Sequence, residues 1–349
     1  MNYPVIEKLA CPYHPDAQIT VDVESETEHG ASSGLICGSY CHRHRKAARL
    51  VSRDEHDRCG RLEVMEGLIT CGECGRRYDI TGGIASMMPD GIAGRDEKRS
   101  RADEAKAHEM EVRNTLAQKQ VGGAYSELQG RIELRALMRA VGPGAGATLI
   151  DIGCGSGRLT RLYHQGFRNV IGFDFAMETL KVNRAWAVRN GARNIDLIQA
   201  DAGNLPLRRG SVDAALCNDV FQHVPDEARQ PFLKSIFRSL APGGRFLITV
   251  RSFSISRKLI QLLREGRIHR DAQMSGSALP IHFYTREEIS GLLARCGFDV
   301  RKVYGLYCGI PRHPGKIWES LMFVENAIQR TPLSLAIGNL YAAEARKRV

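Results

Sequence analysis

The chain has 349 residues, of which 43% are apolar, so it is long enough for two domains and can bury a substantial core. These values exclude a disordered chain. No stretch approaches the ~20 continuous apolar residues of a membrane span, and residues 1–15 lack the basic start and apolar run of a secretory signal. We therefore expect a cytoplasmic protein.

The net charge of +10 is unevenly distributed along the chain. Residues 1–95 hold 11 Lys and Arg against 14 Asp and Glu, so the basic surplus lies in the remainder. Such a surplus favours an anionic partner, but it does not choose among phosphate, carboxylate, nucleic acid and lipid headgroup. An evenly solvated basic surface explains the surplus equally well.

Residues 1–93 are rich in Cys, His and Gly, with strand-like runs at AQITVDV and RLEVMEGLIT. This composition predicts a small, loop-rich module with little core, which needs a covalent or metal staple. Six of the ten cysteines lie before residue 75, and in a reducing compartment such spacing indicates metal ligation. The knuckles CPYH and CGEC offer a tetrahedral zinc set, namely Cys11, His14, Cys71 and Cys74.

An insertion between the two knuckles, LICGSYCHRHRKAARLVSRDEHDRC, carries further cysteines and histidines. Their spacing is less regular, so reduced cysteines in a basic loop are an equal alternative to a metal site. The candidate ligands of a second zinc ion are Cys37, Cys41, His44 and Cys59, with His42 beside them.

Residues 94–146 are first polar and then amphipathic, which predicts a helical connector followed by a packing helix that ends at Gly-Pro-Gly. The predicted apolar face of that helix holds Leu128, Ile132, Leu134, Leu137 and Met138.

From residue 147 onward, strands and helices alternate, as in a parallel sheet covered on both faces. The predicted strands are ATLIDIG, NVIGFD, IDLIQAD, VDAALCND, RFLITV, FDVRKVYGLY and NLYAAEARK, and the predicted helices span 157–166, 176–190 and 226–240. A further helix should begin at Thr285, with Glu288 completing its cap, and end at Gly297.

A glycine-rich turn follows the first of these strands. Asp151 ends the strand, and Gly153, Gly155 and Gly157 lead into a helix, so bare backbone N–H groups can meet a ligand. Alone, this turn suits a nicotinamide, a flavin or a methyl donor equally. Asp174 ends the next strand, where a carboxylate can accept both hydroxyls of a ribose.

The segments LIDIGCGSGRLT, VIGFDFAMETL, IQADAGNLPLRRGSVDAALCNDVFQHVPD and LAPGGRFLIT resemble, in order, the motifs of class I S-adenosylmethionine (SAM) dependent methyltransferases of type 11. Nicotinamide enzymes usually keep G-x-G-x-x-G, whereas Arg158 stands at the last glycine position. The resemblance implies an α/β fold over 147–349, with a Rossmann-like seven-stranded sheet, helices on both faces and SAM as cofactor.

The resemblance also implies roles for individual residues. Asp151 and the glycine backbone would hold the methionine part of SAM, Asp174 the ribose and Asp201 the adenine amino group. The implied cofactor-binding set is Asp151, Gly153, Cys154, Gly155, Gly157, Asp174, Phe175, Asp201, Ala202 and Asn218.

The flanks of the cysteine knuckles, IEKLACP and GLITCGECGRRYDITGGIASMMP, resemble the small Trm112-like zinc domain. The resemblance implies a zinc-ribbon-like module with a structural Zn²⁺. His14 departs from the pattern, in which the second ligand is normally Cys.

Candidates for catalysis are fewer. His223, just after the fourth strand, can take a proton from a hydroxyl near neutral pH, or it can simply hold its loop together. Tyr125, His282 and Tyr284 are weaker candidates for lining an acceptor pocket. The basic segment 251–284 is the expected lid or acceptor-binding insertion, and its end resembles methyltransferases of small molecules, quinones among them.

These features predict methyl transfer to a small-molecule or glycan- or lipid-linked acceptor, at oxygen. Two alternatives stay open. One is an rRNA or tRNA base methyltransferase that grips RNA through the zinc module, and the other is a non-catalytic SAM-binding scaffold.

Overall fold

The computed structural model describes residues 1–29, 36–93, 101–117, 127–142, 144–272, 280–308 and 322–348. Its strands are β1 (Ile19–Glu28), β2 (Tyr40–Cys41), β3 (Lys46–Ala47), β4 (Leu62–Cys71), β5 (Arg77–Thr81), β6 (Ile84–Ser86), β7 (Gly144–Ile152), β8 (Phe167–Asp174), β9 (Ile195–Gln199), β10 (Val212–Asn218), β11 (Leu240–Arg251), β12 (Asp271–Ala272), β13 (Ile281–His282), β14 (Phe298–Leu306) and β15 (Leu340–Lys347). Its helices are α1 (Tyr3–Ile6), α2 (Arg53–Arg61), α3 (Asp90–Ala93), α4 (Arg101–Leu116), α5 (Glu127–Val141), α6 (Thr160–Tyr163), α7 (Met177–Arg189), α8 (Asp226–Ser239), α9 (Ile255–Glu265), α10 (Arg286–Arg295), α11 (Met322–Ile328) and α12 (Leu333–Ile337).

One mixed sheet of 11 strands organises the fold, in the order β1-β4-β5-β6-β9-β8-β7-β10-β11-β15-β14. Neighbours from β6 to β11 in this order are parallel. Strand β15 runs antiparallel to both β11 and β14. The seven strands from β9 to β14 in this order therefore form the Rossmann-like sheet that the sequence predicts for residues 147–349.

The N-terminal residues extend this sheet. Strand β6 pairs in parallel with β9, with Ile84 opposite Leu197. Tyr3 and Tyr78 are buried in the same hydrophobic core as the strands that follow residue 147. The N-terminal residues therefore share the core of the larger sheet, which agrees with a module that has little core of its own. The three residues of β6 are too short a pattern to be recognised from the sequence as a member of the larger sheet.

Helices cover both faces of the sheet, as the alternation of elements predicts. In β7, Ile150 and Ile152 pack in one core with α8 and α10. Leu149, which precedes Ile150 and points the other way, packs in a second core with α5. On α5, Ile132 and Leu137 are buried, in agreement with the predicted apolar face.

Of two helices predicted from the sequence, one is observed with its predicted cap and the other is shorter than predicted. Helix α10 has the predicted capping box, in which the Thr285 hydroxyl accepts from the Glu288 backbone N–H at 3.1 Å. The helix predicted for 157–166 is shorter. It spans only Thr160–Tyr163 before a 3-10 turn, because Gly157 at φ +84° cannot be part of a right-handed helix. Among the described helices, none is both long and apolar enough to cross a bilayer.

Candidate functional site

A cavity of about 700 Å³ lies at the carboxyl ends of β7, β8, β9 and β10. This edge of a parallel sheet is where ligands bind in doubly wound folds. Nine of the ten residues expected to bind the cofactor line the cavity, and so does the candidate base His223. The nine are Asp151, Gly153, Cys154, Gly155, Asp174, Phe175, Asp201, Ala202 and Asn218.

Gly157 is the exception, because it packs away from the cavity. A Cβ built there would lie 2.2 Å from Oδ1 of Asn183 on α7, so glycine is needed for packing between the turn and this helix. At Gly153, a Cβ would lie 2.3 Å from Val220 Cγ2, and the residue has φ +73°. The expectation that Gly157 contacts the ligand is therefore corrected, and its role is to let the turn close against α7.

Asp174 is held rigidly at the edge of the cavity. Its Oδ2 accepts from the Gly155 backbone N–H at 2.9 Å, and its Oδ1 accepts from the Ala176 N–H, also at 2.9 Å. Burial raises the pKa of this carboxyl, and the two N–H donors oppose the shift. Each oxygen keeps a further lone pair, so the carboxylate is oriented to accept two hydroxyl groups.

Asp151 lies deeper, and its hydrogen bonds within the protein fall on one oxygen. Oδ2 accepts from the Thr160 hydroxyl at 3.1 Å and from the Tyr163 hydroxyl. Burial raises the pKa of Asp151 to about 6, against the two hydroxyl donors that favour the charged form. The carboxylate can therefore attract a cationic group of a ligand while it is ionised.

Asp201 is paired with a residue that the sequence did not single out. Lys106 of α4 places its Nζ 3.0 and 2.9 Å from the two carboxylate oxygens. Glu109, Arg113 and Leu116 line the cavity together with Lys106. Their spacing of three, four and three residues puts them on one face of α4. This helical periodicity is visible in the sequence, within the segment that we interpreted as a polar connector.

The opposite end of the cavity contains a second feature that sequence reasoning missed. Asp219 has φ +56°, a conformation rare for a non-glycine residue. Its carboxylate accepts from Arg251 at 2.8 Å and from Gln222 at 2.8 Å, and its backbone N–H donates to the Thr249 hydroxyl. Strained, fully paired residues of this kind concentrate at functional sites, so this end of the cavity is prepared for a second ligand.

His223 lies beside this end of the cavity and is mostly buried. Burial lowers its pKa, with nearby Arg113 acting in the same direction. Within the described ranges, no polar atom lies in hydrogen-bond distance of its buried Nδ1. Burial therefore favours the neutral imidazole form of His223, which lines the cavity, while its Nδ1 is itself buried.

The weaker candidates do not gain support. His282 is held between Asp271 and Glu288 at 2.8 Å each, and Tyr284 is buried against the Phe221 ring. Neither lines the cavity in the described part of the chain, so both are corrected to structural residues of the insertion. Tyr125 lies outside the described residues.

The first predicted cysteine set comes together in space. The four donor atoms of Cys11, His14, Cys71 and Cys74 lie within 4.8 Å of one another. Cys11 Sγ is 3.8 Å from Cys74 Sγ and 3.9 Å from His14 Nδ1. In a tetrahedral site with Zn–S bonds of about 2.3 Å, neighbouring sulfur atoms are about 3.8 Å apart. This donor set therefore fits Zn²⁺.

In the second predicted set, the three cysteine sulfur atoms lie within 4.8 Å of one another, and His44 lies close to two of them. Cys41 Sγ lies 3.7 Å from Cys59 Sγ, and His44 Nδ1 lies 3.2 and 3.6 Å from these two sulfur atoms. The Cys37 sulfur is within 4.8 Å of both. His42 packs edge-on against the Tyr40 ring. The donor set is therefore Cys37, Cys41, His44 and Cys59.

Both sets have a carboxylate behind the histidine. Nε2 of His14 lies 3.6 Å from Glu73, and Nε2 of His44 lies 3.8 Å from Glu55. Both distances are longer than a hydrogen bond, so these are electrostatic contacts beside the two rings.

Comparison with known proteins gives one family match, over residues 150–248, to the methyltransferase domain family. A probable SAM-dependent methyltransferase of Mycolicibacterium smegmatis is 30% identical over 199 residues, which are 54% of this chain and 67% of the relative. A ubiquinone biosynthesis O-methyltransferase of Xylella fastidiosa is 26% identical over 164 residues, 47% of this chain. The chain spans 65% of that relative, which is less than two thirds of its length.

Among solved structures, the Burkholderia thailandensis 1,6-didemethyltoxoflavin-N1-methyltransferase is similar with a TM-score of 0.49 and 19% identity. The similarity covers 73% of this chain and 93% of that one.

Proposed function

Because the chain belongs to the class I SAM-dependent methyltransferases, we propose that it methylates a small-molecule or glycan- or lipid-linked acceptor at oxygen. The observation that carries the proposal is the position of His223 in the wall of the cavity, where burial lowers its pKa and so favours the neutral form. A hydroxyl acceptor must lose its proton during methyl transfer, and a positioned neutral imidazole can accept it. The Xylella relative is itself an O-methyltransferase by name.

The residues of the cavity fit the cofactor. When bound, SAM supplies a methyl group on a sulfonium, so the protein needs to orient the two reactants and exclude water. Asp174, oriented by Gly155 and Ala176, would bind the ribose hydroxyls. Asp151 would bind the methionine ammonium. Asp201 would accept from the adenine amino group while Lys106 screens its charge.

The acceptor would bind between His223 and the Asp219–Arg251 pair. Arg251 donates to Asp219 at 2.8 Å and lines the cavity, so a polar or anionic group of the acceptor can be bound by the same pair. Asn218, whose side chain accepts from the Thr249 hydroxyl at 2.9 Å, would lie at the methyl end.

We further infer that residues 1–93 form a Trm112-like module with two structural zinc ions. The support is one set of four donors and one set of three cysteines with His44 beside it, with sulfur–sulfur distances that suit tetrahedral Zn²⁺. Closed four-ligand sites contribute folding free energy and leave no open position for catalysis. The sheet joins this module to the cofactor-binding strands through β6 and β9.

The test is methyl transfer from labelled SAM into separated pools of lipid extract, water-soluble metabolites and total RNA. Label in a lipid or metabolite pool that boiling hydriodic acid releases as volatile methyl iodide supports O-methylation, because C-methyl and N-methyl groups are not released under these conditions. Label in RNA alone overturns the proposal in favour of the RNA enzyme. If calorimetry shows SAM binding but no pool contains labelled product, the chain is a non-catalytic SAM-binding scaffold.

A further inference from the structure

Helix α9 buries a polar residue and exposes apolar ones. Its buried residue is polar, with Gln261 only 4% exposed, whereas Leu263 is 76% and Ile255 67% exposed. Leu259 and Leu262 are also exposed. The four apolar residues follow the spacing i, i+4, i+7 and i+8, so they form one continuous stripe along the outer side of the helix. We call this set the α9 stripe.

Polar contacts explain why the helix sits this way. The Ser254 hydroxyl caps the helix by accepting from the Arg257 N–H at 3.4 Å. Ser256 donates to the carbonyl of Ile337 at 3.3 Å, and Gln261 Oε1 accepts from the His269 N–H at 3.4 Å. The inner side of α9 is therefore held by hydrogen bonds, and the apolar side is left facing outward.

Basic residues surround the stripe. Residues 255–270 contain five Lys and Arg, namely Arg257, Lys258, Arg264, Arg267 and Arg270, but the single acid Glu265. Arg264 and Arg267 are exposed beyond the last leucines. An amphipathic helix with an apolar face and flanking cations is typical of segments that lie in the interface of a membrane with anionic lipids.

We propose that the α9 stripe inserts into the surface of an anionic lipid bilayer. The charge of the segment is complementary to such a surface, and the aliphatic stripe suits the boundary between headgroups and acyl chains. Arg251, four residues before the helix, and Ile281, at the far end of the same insertion, both line the cavity. The insertion therefore brings the acceptor end of the cavity close to the lipid. That the acceptor is itself carried in the membrane rests on the proposed function.

Co-sedimentation of the full chain with vesicles tests the proposal. We expect binding to vesicles of phosphatidylcholine with phosphatidylglycerol, weaker binding as salt rises, and little binding to phosphatidylcholine alone. Replacing two stripe residues, Leu259→Asp with Leu263→Asp, should lower the partition coefficient at least about tenfold. The matched control is Leu162→Asp with Val188→Asp, which places the same two charges on exposed apolar residues outside the stripe (48% and 63% exposed) and should leave the partition coefficient unchanged.

Three results would overturn it. These are no binding of the unaltered chain to the anionic vesicles, equal binding by the double variant, or a dimer in solution that the double variant dissociates, which would assign the stripe to a second copy. If the double variant does not fold, the milder Leu263→Ser variant is measured in its place. SAM affinity, measured on the same preparations, should be unchanged, so failure of the membrane proposal is distinguished from failure of the proposed function.

Discussion

Lys106 and Asp201 form an ion pair across the cavity, with Nζ 2.9 Å from one carboxylate oxygen and 3.0 Å from the other. Lys106 belongs to α4, and Asp201 directly follows β9. The pair therefore joins a helix from before the cofactor-binding strands to the end of one of those strands. Because both side chains are largely buried, the pair holds α4 over the cofactor end of the cavity.

Replacing Lys106 by Met should weaken SAM binding. The substitution keeps the aliphatic length but leaves the Asp201 carboxylate without its cation and α4 without this attachment. We expect the Kd for SAM to rise about tenfold, which corresponds to about 1.4 kcal/mol. Calorimetry provides the measurement. Lys181→Met, which removes an exposed lysine paired only with Glu178 on the same helix, is the control and should not change Kd. An unchanged Kd in Lys106→Met would show that the pair has no part in binding.

The affinity for SAM should depend on pH through Asp151. Its pKa of about 6 lies above the ordinary value of 3.8, so the carboxyl takes up a proton as pH falls through about 6 and loses its charge. A cationic ammonium binds only the ionised form. We therefore expect Kd to be constant at mildly alkaline pH and to rise by up to about tenfold per pH unit below pH ~6. In Asp151→Asn, binding should be weaker at neutral pH and its pH dependence shallower. An equally steep profile in this variant would assign the titration to another group.

His223 should matter for methyl transfer and not for cofactor affinity. His223→Gln keeps a polar side chain of similar size but cannot take a proton, so we expect kcat to fall by about 10²-fold or more with the Kd for SAM unchanged. Single-turnover release of S-adenosylhomocysteine, measured once the acceptor is known, tests this. The control is His282→Gln, since His282 lies outside the cavity wall. Loss of SAM affinity in His223→Gln would indicate that the residue supports the loop instead.

Each of the two cysteine sets should account for one zinc ion. We expect two zinc ions per chain by elemental analysis, one in Cys41→Ser, and both in Cys296→Ser, whose cysteine belongs to neither set. The loss of one closed site should also lower Tm, by at most about 2–4 °C for each kcal/mol of stability lost in a chain of this size. A chain purified without added chelator that contains no zinc would contradict the account of both sets.

Nine of the ten residues chosen from the sequence as cofactor ligands line one cavity, because the signals that mark them are local. A strand, a glycine turn and an acid at the end of the next strand lie within 24 residues, from Asp151 to Asp174, and the parallel sheet brings these ends to one edge. The zinc sets were also predictable, since the ligands come in pairs from tight turns and long-range folding has only to bring two pairs together.

Features that depend on long-range packing were missed. Helix α4 is polar in composition. Its contribution to the cavity depends on the contact of Lys106 with Asp201, 95 residues away in the chain. Asp219 could not be recognised from the sequence, because its positive φ is maintained by contacts with Thr249 and Arg251 on the neighbouring strand. Likewise, the pairing of β6 with β9 joins segments more than 100 residues apart, for which no local periodicity exists.

Asp174 provides the most direct test of the central claim, that this cavity binds SAM by the hydroxyls of its ribose. Asp174→Ala removes both acceptor oxygens at about 1.5–3 kcal/mol for each charge-assisted hydrogen bond, so the Kd measured by calorimetry should rise at least about 10²-fold. Circular dichroism and Tm of the variant establish that it is folded. A folded Asp174→Ala chain that binds SAM as tightly as the unaltered one would contradict the account, as would an unaltered chain with no measurable SAM binding.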